Sequence, residues 1–219
     1  MLIKWFGHAC FMIRVSDTGL LILTDPFDES VGYPLPDVSP NLVTESHQHF
    51  DHNAHAILKG SFNVLKNSGM FEYDEVKIKA IESFHDKSMG KERGMNLIFK
   101  FEFLNGTNIA HLGDLGHVVD DNILKELLPV DVLLIPVGGK FTIGPEEAVE
   151  VCDLVKPKVI IPMHYKTRYL NFPIKSVDEF IKVISKKSSV DIVQNENNIF
   201  EFEMKELRRP KPLVLVMNI

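Results

Sequence analysis

The sequence has few cysteines and no long apolar segment. Its 219 residues include two cysteines, Cys10 and Cys152, and a single pair cannot form the disulfide framework of a small secreted fold. A reducing cytoplasm is therefore the expected compartment. The longest apolar runs, such as residues 130–137, have the length of a strand and contain an aspartate, whereas a membrane helix needs about 20 apolar residues. The first residues also lack the apolar region of a secretion signal.

Basic stretches and low-complexity segments are missing as well. Thirty acidic residues against 24 basic ones give a net charge of −6, and no stripe of lysine and arginine interrupts the balance. A duplex nucleic-acid partner is therefore not expected, and a small substrate is favoured. The composition, 45% hydrophobic and 25% charged, is that of a globular protein with one sizeable core. Since no repeat or linker is found, we expect a single domain over residues 1–219.

Hydrophobic periodicity divides the chain into two halves. The first half predicts antiparallel strands at residues 2–6, 10–15, 19–24, 76–83, 95–103 and 107–112, with a two-residue Asn105-Gly106 turn before the last of them. The second half predicts helices at 120–128, 145–155 and 176–187, alternating with apolar strands at 130–137 and 159–163. Closing strands are predicted at 191–194, 199–204 and 213–217. Residues 213–219 are mostly apolar, so we expect this segment either to cover a sheet edge or to form part of a subunit contact in a homo-oligomer.

Histidine is the residue type that stands out, because four of the nine histidines fall within nine residues. Three of these four histidines and an aspartate lie within a segment of six residues: His47, His49, Asp51 and His52. In an extended segment, residues 47, 49 and 51 point to one side, so His47 and His49 can bind one ion, while a turn directs the next two side chains to a second ion. Imidazole and carboxylate ligands suit zinc, manganese, iron or nickel, and the lack of cysteine in the cluster argues against a closed structural zinc site.

Three further candidate ligands each follow a predicted strand. His85 follows residues 76–83, Asp114 follows 107–112 and His164 follows 159–163. Side chains at strand ends are held by the sheet yet remain open to solvent, so we expect these three along one edge of a sheet sandwich. Alternatives remain open: Asp114 follows a glycine and suits a turn, and His111 or His117 is an alternative to His85.

The spacing of these residues resembles that of the metallo-β-lactamase superfamily over nearly the whole chain. The resemblance is carried by His47-x-His49-x-Asp51-His52, His85, Gly113-Asp114 and His164. Further motifs resemble the branch of small bacterial and archaeal metal-dependent hydrolases that includes the ascorbate-6-phosphate lactonase; they are Trp5-x-Gly7-His8-Ala9, Asp25-Pro26-Phe27 and Pro162-Met-His-Tyr165. The implied fold is a four-layer αβ/βα sandwich, two mixed β-sheets with helices on both outer sides.

The resemblance also implies a binuclear centre and a hydrolytic reaction. The first of two divalent ions would be held by His47, His49 and His85, and the second by Asp51, His52 and His164, with Asp114 bridging. Zinc is the first choice of metal, with manganese, iron and nickel as alternatives. Such ions bind a hydroxide and polarise the substrate, which predicts hydrolysis of a small ester, lactone or phosphoester. A phosphodiesterase or nuclease acting on RNA or nucleotides is the alternative, and a di-iron redox centre or a non-catalytic metal-binding module ranks below it.

Three residues are candidates for the chemistry itself. Asp51 is expected to orient the attacking water or take its proton. His8, expected at the rim of the site, is a candidate proton donor to the leaving group. Tyr165, next to a ligand, is a candidate hydrogen-bond donor to the transition state. Asp25 is expected to orient histidine ligands or a turn.

Four cations are candidates for binding an anionic substrate: Arg93, Lys140, Lys166 and Arg168. Lys140 lies in a glycine-containing loop before the helix at residue 145, where backbone N–H groups can bind an anion. His55, His111 and His117 exceed the number of ligands that two ions require, and each is expected to be a buried or hydrogen-bonding residue.

Overall fold

The computed structural model describes residues 1–219, which form two mixed β-sheets. The six-stranded sheet contains β1 (Leu2–Gly7), β2 (Cys10–Arg14), β3 (Leu21–Thr24), β4 (Leu42–Thr44), β5 (Asn63–Leu65) and β13 (Ile199–Glu201). Its strand order is β13-β1-β2-β3-β4-β5. Strands β3, β4 and β5 pair in parallel, and the other pairs are antiparallel.

The eight-stranded sheet contains β6 (Gly69–Tyr73), β7 (Val76–Phe84), β8 (Met95–Phe103), β9 (Asn108–His111), β10 (Val132–Pro136), β11 (Val159–Met163), β12 (Asp191–Gln194) and β14 (Leu213–Val216). Its order is β12-β14-β11-β10-β9-β8-β7-β6. Pairing is antiparallel from β6 to β9 and parallel from β9 to β12. The prediction of a sandwich built from two mixed sheets is confirmed.

Three α-helices lie in the connections of the larger sheet: α1 (Asp121–Leu127), α2 (Pro145–Val155) and α3 (Val177–Lys187). The side chain of Asp120 accepts the N–H groups of Asn122 and Ile123 and so caps α1. The connections within the smaller sheet contain only the short 3-10 helices Glu29–Val31 and His55–Ile57. No helix has both the length and the apolarity that crossing a bilayer requires.

Both sheets contribute to one hydrophobic core. Trp5 and Phe11 from the smaller sheet and Phe99 and Ile135 from the larger one belong to the same cluster of buried apolar residues. Every residue of β10 and β11 is buried, because parallel strands are covered on both faces. This explains why these two strands read as continuous apolar runs in the sequence.

Three strands of each sheet share one direction, so their carboxyl-terminal ends lie on the same side of that sheet. Strands β1, β3 and β4 run in the same direction, since β1 and β3 are both antiparallel to β2 and β4 is parallel to β3. In the larger sheet β7, β9 and β11 also share one direction. The segments that follow these six strands therefore leave each sheet at a single edge.

Two local predictions are wrong. The turn between β8 and β9 has three residues, 104–106, because Phe103 N–H donates to Thr107 C=O and Gly106 adopts a φ of +84°, as in a type I turn followed by a left-handed residue. β14 lies inside the sheet between β12 and β11, and its four residues are buried. It is therefore an interior strand and not a sheet edge, while a homo-oligomer stays a prediction.

Candidate metal centre

The residues after the six strand ends converge on one cluster of polar side chains. His8 follows β1, Asp25 follows β3, residues 46–52 follow β4, His85 follows β7, Asp114 comes shortly after β9, and His164 follows β11. Three of them, His8, Asp25 and His164, have positive φ angles of 52°, 40° and 51°. The backbone thus leaves the extended conformation at the residue that faces the cluster, a pattern often found at functional sites.

Asp114 lies at the middle of this cluster. Its Oδ1 is 3.4 Å from Nε2 of His52, and its Oδ2 is 3.3 Å from Nε2 of His85 and 3.2 Å from Nε2 of His164. The seven predicted ligands fall into groups whose donor atoms lie within 4.8 Å of one another: His47 with His49 and His85; Asp51 with His52, His164 and His8; and His47 with His52 and Asp114. Asp114 is thus placed between the other two groups.

The donor set fits divalent metal ions. Eight buried side-chain nitrogen or oxygen atoms of the protein have no hydrogen-bond partner, and six of them are in this cluster: His8 Nδ1, His47 Nε2, His52 Nε2, His85 Nδ1, Asp114 Oδ1 and His164 Nδ1. A buried polar atom without a partner is costly. Imidazole nitrogens and carboxylate oxygens are ligands that zinc and related cations bind. Cations in this cluster would therefore satisfy His47 Nε2, His52 Nε2 and Asp114 Oδ1, which lie in one group.

Asp25 fixes the orientation of two of the imidazoles. Its carboxylate is buried and accepts hydrogen bonds from Nδ1 of His52 at 2.8 Å and from the Ser46 hydroxyl at 2.6 Å. Because that hydroxyl donates to Asp25, its oxygen is left to accept from Nδ1 of His47 at 3.0 Å. Both histidines therefore carry a proton on Nδ1 and direct Nε2 towards the cluster. Asp25 was expected to orient either ligands or a turn, and these hydrogen bonds support the first role.

Burial and neighbouring charges together set the charge of the candidate ligands. Burial alone would lower the pKa of His52, but the carboxylates of Asp114 and Asp25 outweigh it and raise that pKa well above its usual value. Desolvation, aided by the nearby His52, lowers the pKa of His47 to about 3, so its imidazole is neutral at pH 7. Burial alone would raise the pKa of Asp114, but His164 and His52 outweigh that effect and hold it well below the usual range. Neutral imidazole and ionised carboxylate are the protonation states that bind metal.

His8 lies deeper than expected. It was predicted at the rim, yet it is fully buried, with Nε2 3.0 Å from Oδ2 of Asp51 and its ring centroid 4.1 Å from that of His164. Burial, reinforced by the neighbouring His164, lowers the pKa of His8 to about 4. A neutral His8 donates its Nε2 proton to the Asp51 carboxylate, so the geometry favours a residue that positions Asp51 over an exposed proton donor.

Tyr165 does not reach the cluster. Its hydroxyl donates to the Met217 carbonyl at 3.3 Å, and its ring packs 5.3 Å from that of Trp5. The preceding residue, His164, faces the cluster. Tyr165 instead lines a separate cavity of about 390 Å³. The prediction of a transition-state hydrogen-bond donor at this position is wrong.

Three other histidines have structural partners. His111 is buried, donates from Nε2 to the Ala9 carbonyl at 2.8 Å and accepts the Gly113 N–H on Nδ1 at 3.2 Å. His117 donates to a backbone carbonyl and accepts a backbone N–H. Since the ring nitrogens of both are occupied, His85 is the histidine that completes the group with His47. His55 pairs with the buried carboxylate of Glu45.

A pocket of about 320 Å³ opens above the cluster. Its lining combines candidate ligands with three phenylalanines and one cation: His49, Phe50, Asp51, His85, Arg93, Asp114, Phe141, His164 and Phe172. The sequence analysis did not identify the phenylalanines, because single aromatic residues in loops carry no pattern that separates a pocket wall from a core.

Of the four candidate cations, only Arg93 lines this pocket. Lys166 donates to two backbone carbonyls of its own loop. Arg168 donates to the Tyr169 hydroxyl and to the carbonyl of the last residue, at 2.8 Å each. Lys140 is exposed, 5.5 Å from the centre of the Phe141 ring.

Asn96, which sequence reasoning missed, holds the loop that carries Asp114. Its side-chain oxygen accepts the Asp114 N–H at 2.8 Å, and its amide donates to the Leu112 carbonyl at 3.0 Å. The Asp114 loop packs closely against Asn96 and Ser46: a Cβ at Gly113 would lie 2.3 Å from the Asn96 side-chain oxygen and 2.5 Å from Cβ of Ser46. Gly113 thus permits the contact between the Asp114 loop and the histidine-rich segment.

Comparisons with known proteins agree with this geometry. Residues 2–164 match the family model of the beta-lactamase superfamily domain. A metal-dependent hydrolase of Thermococcus onnurineus is 32% identical over 223 residues, covering 88% of this chain and 96% of that protein. A crystal structure from Thermotoga maritima, of a protein described as a member of the metallo-β-lactamase superfamily, is 45% identical to this chain with a TM-score of 0.79, and the match covers 99% of both chains. A metallo hydrolase of Ignicoccus hospitalis is 24% identical, covers 92% of this chain and 99% of that one, and shares the fold with a TM-score of 0.66.

Proposed function

The chain belongs to the metallo-β-lactamase superfamily, and we propose that it is a metal-dependent hydrolase that cleaves a small ester, lactone or phosphoester within a single domain. The observation that carries this proposal is the convergence of seven imidazole and carboxylate side chains from the strand ends of both sheets, with several of their donor atoms buried and without a partner. We further propose that His47, His49 and His85 hold one ion, that Asp51, His52 and His164 hold a second, and that Asp114 bridges them. Zinc is the proposed metal.

Divalent ions bound here would activate a water molecule and polarise the substrate oxygen. The protein's own residues supply the orientation. Asp51 is at the pocket surface, and its carboxylate accepts the Nε2–H of His8. One Asp51 oxygen is held in this way, which leaves the other available to the proposed ion and its water.

The reaction is an addition of water. For an ester, the water oxygen forms a bond with the acyl carbon, the bond from that carbon to the alcohol oxygen breaks, and the water protons end on the two products. Asp51 is the proposed group that accepts the proton from water. The phenylalanines of the pocket wall limit access of bulk water and contact the non-reacting part of the substrate.

The pocket and the charge both favour a small substrate. A volume of about 320 Å³ is at the lower end of the range of small-molecule sites. The surface has a net charge of −6, and only one cation lines the pocket, whereas a long polyanion needs several phosphate contacts.

The test compares zinc-loaded wild-type protein with an Asp51→Ala variant on a panel of small esters and lactones, bis(p-nitrophenyl) phosphate and short RNA. We expect hydrolysis of at least one small ester, lactone or phosphoester, and its loss in Asp51→Ala with only a modest decrease in Tm. Asp17→Ala is the matched control, because Asp17 is exposed in the β2–β3 turn, at the opposite edge of the sheet.

Two results would contradict the proposal. One is a wild-type rate in Asp51→Ala, which would remove that residue from the reaction. The other is cleavage of RNA with no activity on any small substrate, which would favour the nuclease alternative.

A further inference from the structure

Arg93 is a cation without a partner inside the pocket. Arg209 pairs with Asp191 at 2.8 Å and with Glu206 at 3.1 Å, whereas the Arg93 guanidinium forms no ion pair and donates no hydrogen bond. Arg93 is half-buried and lines the same pocket as His49, Asp51 and His85. Its five N–H donors are therefore available to a molecule that enters the pocket.

The backbone that carries Arg93 is built around a buried carboxylate. Oδ1 of Asp86 accepts the N–H groups of Ser88 at 2.7 Å and Gly90 at 2.9 Å. Oδ2 of Asp86 accepts those of Glu92 at 3.0 Å and Arg93 at 2.8 Å. The loop wraps around this one side chain, which lies directly after the candidate ligand His85 and fixes Arg93 relative to the cluster.

The guanidinium is also held from one face. Its carbon is 4.5 Å from the centre of the Phe141 ring, a cation–π contact, and the Phe141 ring packs edge-on against Phe172 at 6.0 Å. An ion pair between Lys87 and Glu147 joins the Arg93 loop to the first turn of α2. Stacking on an aromatic ring leaves the edge of the guanidinium, with its hydrogen-bond donors, free.

We propose that Arg93 binds the anionic group of the substrate, so that the substrate of the proposed hydrolase is a small organic acid. The inference rests on the proposed function for its reaction but not for its anion site. A guanidinium makes paired, charge-assisted hydrogen bonds with carboxylate or phosphate oxygens, and Phe50 and Phe172 offer apolar surface to the rest of the molecule. The substrate therefore combines a carboxylate or phosphate, an apolar portion and a hydrolysable bond near the metal ligands.

Binding to metal-free protein tests the anion site without any catalysis. Protein stripped with a chelator is titrated calorimetrically with benzoate, phenyl phosphate and benzyl alcohol. We expect at least one of the anions to bind more tightly than the alcohol. Arg93→Met should lower the affinity for that anion roughly tenfold or more, as expected for the loss of a hydrogen bond to a charged group. Which anion binds more tightly separates a carboxylate from a phosphate substrate.

Two further variants serve as controls for the role of Arg93. Arg93→Lys keeps the charge but loses the planar fork, so its affinity should lie between those of wild type and Arg93→Met. Lys91→Met removes an exposed cation from the same loop and should leave anion binding unchanged. Equal binding of the anions and benzyl alcohol by the wild type, or anion affinities that Arg93→Met leaves intact, overturns the proposal.

The kinetic comparison uses two esters with the same leaving group, mono-4-nitrophenyl succinate and 4-nitrophenyl butyrate. The zinc-loaded wild type should have a higher kcat/KM for the succinate, and Arg93→Met should lower the ratio of the two values roughly tenfold or more. Hydrolysis of both esters with a ratio that Arg93→Met does not change overturns the anion site and leaves the hydrolase intact. Anion binding that depends on Arg93, without hydrolysis of any panel substrate, supports the anion site and contradicts the proposed function.

Discussion

Replacement of Asp25 by asparagine should weaken metal binding even though Asp25 is not a proposed ligand. Oδ1 of Asp25 accepts the Ser46 N–H at 2.7 Å, while Oδ2 accepts both the Ser46 hydroxyl and Nδ1 of His52. An asparagine has one acceptor and one donor end. If its NH₂ group takes the Oδ1 position, two donors face each other at the Ser46 backbone. If it takes the Oδ2 position, it faces Nδ1 of His52.

The second orientation changes the tautomer of His52. An NH₂ group next to Nδ1 favours a proton on Nε2, and Nε2 is the atom that faces Asp114 at 3.4 Å. A protonated Nε2 cannot bind a metal ion. Loss of such a ligand-orienting partner typically lowers metal affinity by roughly 10- to 100-fold, equivalent to about 1.4 to 2.7 kcal/mol. Either orientation also leaves a buried mismatch that destabilises the metal-free protein by about 1–3 kcal/mol.

Zinc dissociation constants measured by competition with a chromogenic chelator test this prediction. Asp120→Asn is a suitable control, because Asp120 caps α1 away from the cluster and asparagine caps helices equally well. The expected result is a lower zinc affinity in Asp25→Asn and an unchanged one in Asp120→Asn. A zinc affinity of Asp25→Asn within about twofold of wild type would refute the assignment of Asp25 as the group that sets the His52 tautomer.

Three other substitutions distinguish structural from functional residues. Tyr165→Phe should leave kcat unchanged in the hydrolysis assay and cost about 0.5–1.5 kcal/mol in chemical unfolding, because only the hydrogen bond to Met217 is lost. His111→Ala should lower the free energy of unfolding by about 2–4 kcal/mol while bound zinc stays at the wild-type level, since it leaves two buried backbone groups without partners; a loss of bound zinc would contradict its structural role. Asp86→Ala should weaken anion binding by metal-free protein, because four backbone N–H groups lose their acceptor; unchanged binding would mean that Asp86 does not position Arg93.

The elements with strong periodicity were predictable from the sequence. The predicted bounds of α2, β8, β11 and β12 agree with the structure, because helix α2 begins at a proline and the strands are bounded by turn residues or continuous apolar runs. β4, β5 and β6 were missed. β4 has only three residues, too few for an apolar pattern. β5 and β6 are short strands whose residues are mostly half-buried or exposed, so they are specified by pairing with their neighbours more than by an apolar pattern.

The candidate ligands were also predictable from the sequence, because four of them lie within six residues and the other three each follow a predicted strand. The hydrogen-bond partners of these ligands were harder to predict. Ser46 and Asn96 are common polar residues, and only the three-dimensional contacts show that one links Asp25 to His47 and the other holds the Asp114 loop.

Side-chain direction was the main source of error at the site. Tyr165 and His164 are adjacent in sequence, but the chain directs them to opposite sides, and proximity in sequence alone cannot reveal which side faces the ligands. His8 was expected at the rim because the family resemblance of its motif implied that place. Its burial depends on the packing of Asp51 and His164 over it, contacts between residues far apart in the sequence.

The measurement that tests the account most directly is a zinc titration of chelator-treated protein, with bound metal determined by elemental analysis after gel filtration. The account predicts two zinc ions per chain for the wild type, a rise in Tm as they bind, and fewer bound ions in both His85→Ala and His164→Ala. A wild-type protein that retains less than about half an ion per chain at saturating zinc, with no change in Tm, would contradict the assignment of this cluster as a metal centre.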